Sequence, residues 1–322
     1  MCLILSKTLC LNITYMTEGR DSLGIKMKHY NLYGMHIVSD FEFVQLEPLE
    51  EIDKEKADVI ICEGVITDEY KKDRECYSKI RKEVSYMANH TCYLLIENGN
   101  KITYEKKANA KENNLNAFLL GWGIAIICYQ KERLAIHCSC VADDSGAVLI
   151  SGTSGSGKSS ITSYLLNEGY KLVADDMAVV TVEENGVAYA LAAFPYQKLC
   201  RDVAMQSGLK EEEMIYIDEN KDKFLVPYKG DFVRKPVPVK AMIILGFSES
   251  DTVISGEIQG VDKIYACVNS LFLKALLKKK AYYPENINSC LELASCIPIY
   301  FVSRPIDVDT KEEVINAISK LV

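Results

Sequence analysis

The chain has 322 residues, 48% of them apolar, with 37 Lys and Arg against 45 Asp and Glu for a formal net charge of −8. The acidic balance argues against bulk nucleic-acid or membrane-surface binding, and the apolar share is that of a globular chain with one large core or two smaller ones. No uninterrupted apolar run approaches the ~20 residues that span a bilayer; the oiliest stretch, residues 117–129, is broken by Gly121 and Gly123.

Residues 1–26 begin like a short apolar signal core, yet no small-residue cleavage site follows. A cleaner strand pattern opens at Met27, so either Met27 is the natural start or residues 1–26 are a loosely attached extension. Residues 27–112 read as a β-rich N-terminal domain. Runs 33–39, 57–63 and 91–97 are strand-like, and Asn98-Gly99 turns the last of them into 101–105. Residues 113–322 are expected to form the catalytic domain, entered by a helix over 116–130.

From there the pattern predicts a strand over 134–142, a turn at Asp143-Asp144-Ser145-Gly146 and a buried strand over 147–151. A glycine-rich segment and a helix over 160–168 follow, then a strand over 170–176 that ends in Asp175-Asp176. An Asn185-Gly186 hairpin joins 179–182 to 187–192. Further elements are a strand over 237–245, a helix over 269–280, a strand over 299–304 and a last helix opened by Thr310-Lys311-Glu312-Glu313, a capping-box pattern.

The segment Gly152-Thr153-Ser154-Gly155-Ser156-Gly157-Lys158-Ser159, with Ser160 after it, is a complete phosphate-binding motif between a predicted strand and a predicted helix. Glycine-rich backbone lets N–H groups turn toward one point, and the helix N-terminus adds positive potential there. Lys158 is placed to reach β- and γ-phosphates and the Ser159 hydroxyl to bind Mg²⁺, so ATP and Mg²⁺ are the expected cofactors. Asp175 and Asp176 close the next strand, where open α/β sheets collect ligands. One of the two acids can hold the metal, directly or through water, and the other can take a proton from an acceptor hydroxyl. His137, on the strand before the motif, is by itself as well read as a core or surface histidine. Lys198, Arg201, Lys229, Arg234, Lys235 and Arg304 are candidate anion contacts, although a solvated surface is the ordinary meaning of such residues.

Twelve cysteines lack both Cys-x-x-Cys pairs and histidines at zinc spacing, so they read as core thiols. Together with a nucleotide motif they point to the reducing cytoplasm.

The blocks His137-Cys-Ser-Cys-Val141, Gly152-Thr-Ser-Gly-Ser-Gly-Lys-Ser-Ser160 and Leu172-Val-Ala-Asp-Asp176 resemble, in order and spacing, the catalytic domain of HPr kinase/phosphorylase and its stand-alone kinase relatives. The resemblance implies an α/β P-loop kinase core of the HPr kinase and PEP carboxykinase-like type, with a smaller β-rich N-terminal region. It implies His137 and Lys158 as active-site residues, Ser159 on Mg²⁺, Asp176 as the base, and Asp175 on metal or water. The Glu-x-x-Gly-x-Gly segment of the bifunctional enzymes is not matched by the comparable stretch, residues 194–202. Their Pro-Val-Arg-Pro-Gly-Arg-Asn loop has no counterpart either. The implied activity is therefore that of a stand-alone kinase, phosphorylating a hydroxyl of a peptide, protein or small molecule. A homo-oligomer is one expectation, the bifunctional relatives being hexamers. A second reading, from another class, is a nucleotide-gated binding module with no phosphoryl acceptor.

Overall fold

Why the strand patterns of residues 27–106 form a sheet is visible in their alternation: Met35, Ile37, Val59 and Ile61 are buried while their immediate neighbours on each strand are less so. The computed structural model describes residues 27–49, 57–108, 110–205, 208–217, 222–306 and 308–322; the expected extension 1–26 lies outside them. Seven strands form the first sheet, in the spatial order Lys28–Leu32, Met35–Ser39, Val59–Glu63, Lys101–Lys106, Cys92–Glu97, Val84–Ala88 and Tyr77–Lys79. It is mixed, with Val59–Glu63 parallel to both of its neighbours and the remaining pairs antiparallel. Asn98-Gly99 turns as its sequence demands, with φ of 50° and 68°. Tyr33-Gly34, inside the run read as one strand, turns in the same way with φ of 52° and 66°.

The helix that follows starts earlier than expected, as Glu112–Phe118, and passes through a π turn at Leu119–Gly123 before Ile124–Gln130. The two glycines of the oily stretch fall in that π turn. The buried side chains of this segment belong to one continuous core that also takes in Ile102 of the first sheet and Ile136 of the second.

The second sheet has nine strands. Lys171–Ala174 lies at one edge, then Cys138–Asp143, Gly146–Gly152, Val237–Ser248, Ala188–Leu191, Ala178–Val182 and Leu134–Ile136. Val237–Ser248 also pairs along its later residues with Ile299–Pro305, which carries Ile254–Glu257 outside it. Gly146–Gly152, Val237–Ser248 and Ile299–Pro305 are parallel. Lys171–Ala174 is antiparallel to Cys138–Asp143, itself antiparallel to Gly146–Gly152, so it ends at the same edge as the glycine-rich segment. A three-stranded sheet, Tyr196–Cys200, Lys223–Pro227 and Ile215–Ile217, completes this mixed α/β architecture.

Three predicted elements differ. The strand expected over 134–142 is two strands broken at His137, because Leu134–Ile136 pairs with Ala178–Val182 while Cys138–Asp143 pairs with Gly146–Gly152. The helix expected over 269–280 ends at Ser270 instead, as Val261–Ser270, and short turns Lys274–Leu277 and Lys278–Tyr282 follow. The last helix, Lys311–Ser319, starts at Thr310 as expected, yet the Thr310 hydroxyl makes no capping bond and is buried without a partner.

Candidate functional site

The glycine-rich segment leaves the sheet at Gly152, whose backbone (φ 148°) has no room for a side chain. A Cβ there would sit 2.3 Å from the Leu245 carbonyl and 2.8 Å from Ser156 Oγ. Thr153, Ser154 and Gly155 are exposed, Ser156 is buried, and the Ser156 N–H closes the turn onto the Thr153 carbonyl at 3.2 Å. Gly155 and Gly157 take positive φ of 83° and 100°. Gly157 is also the N-cap of the helix Lys158–Asn167, so no side chain caps its first N–H groups. Ser159 and Ser160 occupy that first turn, half-buried. These features fit a phosphate group: uncapped amides at a helix start, an orphaned buried hydroxyl at Ser156, and open space at Gly155 and Gly157.

Lys158 folds back over the loop. Its Nζ donates to the Gly152 carbonyl at 2.7 Å and the Thr153 carbonyl at 3.1 Å. Burial lowers its pKa and the Lys223 charge lowers it further, while Asp176 and Asp175 act in the opposite sense. The lysine and both acids therefore share one electrostatic neighbourhood.

Asp175 and Asp176 lie past the end of Lys171–Ala174, in a turn closed by the Met177 N–H onto the Asp175 carbonyl at 2.8 Å. Asp176 takes a left-handed φ of 65°, a conformation Asp tolerates better than most residues. With the strand ended, the two acids are free of its alternation and acquire different surroundings. Asp175 accepts from Ser139 Oγ at 2.6 Å and from the Lys198 N–H at 2.7 Å. Burial nonetheless raises its pKa. For Asp176 burial acts upward too, but Lys198, His137 and Lys223 outweigh it and hold the carboxyl below its ordinary value. Lys198 Nζ is 3.5 Å from Asp176 Oδ2.

His137, at the strand break, reaches the same turn. Its Nδ1 is 2.9 Å from the Asp176 backbone carbonyl. A carbonyl only accepts, so Nδ1 carries the proton in this bond. The break is held by the His137 N–H donating to the Ser270 carbonyl at 2.7 Å and by Ser151 Oγ donating to the His137 carbonyl at 2.9 Å.

The predicted residues thus converge from the break at His137, the loop 152–160 and the turn 175–176. Lys198 reaches the same turn, and the charge of Lys223, which pairs with Cys200 across the small sheet, acts on both Lys158 and Asp176. Arg201 pairs instead with Asp222 at 2.7 Å, Lys229 with Glu213 at 3.3 Å and Arg234 with Glu47 at 2.7 Å, and Lys235 is exposed. Those residues keep their ordinary surface meaning. No group of three or more His, Cys, Asp or Glu suited to a metal ion occurs among the described residues, which restricts a cation here to few protein ligands. Mg²⁺ is commonly held in that way, by one or two protein groups, phosphate oxygens and water. All ten cysteines among the described residues are free. No helix there is long and apolar enough to cross a membrane.

No family model matches the chain, and no curated protein matches it. Among solved structures it is similar to the Hpr(Ser) kinase/phosphatase from Coxiella burnetii, with a TM-score of 0.30 and 15% identity over 58% of this chain and 89% of that one.

Proposed function

We propose that this chain is an ATP- and Mg²⁺-dependent phosphotransferase of P-loop type, passing a γ-phosphoryl group to a hydroxyl of a peptide, protein or small molecule. The observation that carries the reading is the turn at Asp175-Asp176. Its Asp176 carboxylate is held below its ordinary pKa by Lys198, His137 and Lys223, and its charge acts on the lysine of an uncapped, glycine-rich helix entrance.

In this reading Lys158 exchanges the Gly152 and Thr153 carbonyls for phosphate oxygens, and the N–H groups of the loop orient them. Ser159 and Asp175 would hold Mg²⁺, whose chemistry is to neutralise charge on the phosphates. Asp176 accepts the proton of the acceptor hydroxyl as its oxygen bonds to the γ-phosphorus and the bridging P–O bond to ADP breaks. A carboxylate held below its ordinary pKa is a weak base, which suits a loose transition state in which the acceptor proton leaves late. Lys198 keeps that carboxylate ionised and oriented, and His137 fixes the turn that carries it.

Purified protein incubated with γ-labelled ATP, Mg²⁺ and cell extract should label an acceptor, and the Asp176→Asn variant should lose roughly 10²–10⁴-fold in transfer with nucleotide affinity kept. Release of free phosphate alone, or wild-type transfer by the variant, would sink the proposal.

A further inference from the structure

The site described so far uses one flank of the glycine-rich loop. The acid turn and His137 belong to Lys171–Ala174 and Cys138–Asp143, which lie to one side of Gly146–Gly152. On the other side run Val237–Ser248 and Ile299–Pro305, parallel to it and ending at the same edge. Gly152 pairs with Leu245, so these two strands continue past the level at which the loop departs. Where they do so, Phe247 and Arg304 are direct partners.

Phe247 is 40% exposed, an aromatic ring at the rim of the sheet rather than in its core. The Arg304 guanidinium carbon lies 4.8 Å from the centre of that ring. Arg304 Nη2 donates to the carbonyl of Gly155, in the loop itself, at 3.3 Å, and Nη1 to the Val308 carbonyl at 3.4 Å. Ile306, the next residue after the strand, is also exposed. A planar cation and an aromatic face are therefore anchored against the loop, on the flank without the acids.

A nucleotide whose phosphates lie in the loop must send its nucleoside to one side. The acid flank carries two carboxylates and is where the acceptor hydroxyl must come. The opposite flank offers flat, apolar and cationic surface, the chemistry that stacks on a purine ring. It also lies at the carboxyl ends of parallel strands, where open α/β sheets bind their ligands. We infer that Phe247 and Arg304 form the nucleobase site, Phe247 by stacking on the base and Arg304 by tying that surface to the loop at Gly155. The inference rests on the proposed nucleotide reading and adds the location and chemistry of base recognition.

Calorimetry on the full chain with two probes, MgATP and magnesium tripolyphosphate, separates the two. The wild type should bind MgATP more tightly than tripolyphosphate. Phe247→Ala should weaken MgATP roughly tenfold, the range of one lost base–aromatic stack, and leave tripolyphosphate unchanged, while Phe247→Trp should restore MgATP affinity. Equal wild-type affinity for both probes, or a Phe247→Ala variant that binds MgATP like the wild type, overturns the base site and leaves the loop reading standing. Uptake of neither probe by the wild type overturns both.

Discussion

The phenol of Tyr33 donates a buried hydrogen bond of 2.8 Å to the backbone carbonyl of Met177, the residue directly after the acid pair. Tyr33 sits in the tight turn between the first two strands, 144 residues away in sequence. Its own N–H donates to the Ala192 carbonyl at 3.1 Å, and its carbonyl accepts from Arg133 at 3.0 Å. The first sheet thereby props the turn on which Asp175 and Asp176 stand.

Tyr33→Phe keeps the ring and removes the donor, leaving the Met177 carbonyl buried and unpaired. The expected cost is about 1–3 kcal/mol, measured as a fall in unfolding midpoint. Because small misplacements of a catalytic group are costly, turnover should fall roughly tenfold while nucleotide affinity holds. Unchanged turnover in a destabilised variant would reduce Tyr33 to a packing residue.

Lys198 touches both acids, through its N–H to Asp175 and its ammonium to Asp176. Lys198→Met spares the first contact and removes the second. Asp176 is held below its ordinary pKa with Lys198 the largest opposing charge, so removing it raises that pKa. Base function needs the ionised carboxylate and is lost as pH falls through it. The acid limb of the rate profile should therefore move to higher pH in Lys198→Met and stay in place in Lys198→Arg. A limb that does not move would mean that another group controls it.

The loop with its flanking strand and helix was legible because the motif is local. Its glycines at 152, 155 and 157 answer to the local backbone path, and Lys158 and Ser159 open the helix that follows directly. The acid pair was legible for a related reason, as an apolar strand that ends abruptly in charge. Lys198 was legible only as one of six candidate anion contacts, and Tyr33 and Lys223 not at all, since their partners lie outside their own sheets and nothing in the local pattern marks them. His137 reads as part of one strand because residues 134–142 are nearly all apolar or small and hold no glycine or proline to mark a break. Only the pairing of its two halves with different neighbours shows why the chain must break there. The helix expected over 269–280 failed for the same reason, as Leu271 leaves the helix to bridge Ile136.

Gly152→Ala tests the backbone of the loop without touching any charge. A methyl 2.3 Å from the Leu245 carbonyl forces the loop or the neighbouring strand to move, and the positive φ adds strain of about 1–3 kcal/mol. Nucleotide affinity should fall at least tenfold, about 1.4 kcal/mol, with circular dichroism retained. A variant that binds as the wild type does would show that the amides at this turn do not set affinity.

Asp143 opens the turn predicted at residues 143–146 and also holds it together. It accepts from the Ser145 and Gly146 N–H groups and the Ser145 hydroxyl, and Lys240 Nζ stands 2.7 Å away. Burial pushes its carboxyl up, but the Lys240 and Ser145 contacts outweigh burial and hold the pKa at about 2. A carboxyl depressed in the folded state stabilises the fold above its unfolded pKa of about 3.9 and loses that contribution as pH falls through the folded value. Stability from this turn should therefore decline between about pH 4 and pH 2. Its size is tempered by solvent, since a third of the side chain is exposed. Asp143→Asn should lower the unfolding midpoint at neutral pH, flatten its dependence on pH in that window and leave nucleotide binding unchanged. The turn feeds Gly146–Gly152 from the end of the strand opposite the loop, so an effect on nucleotide affinity as large as that of Gly152→Ala would mean that the two ends of this strand are coupled.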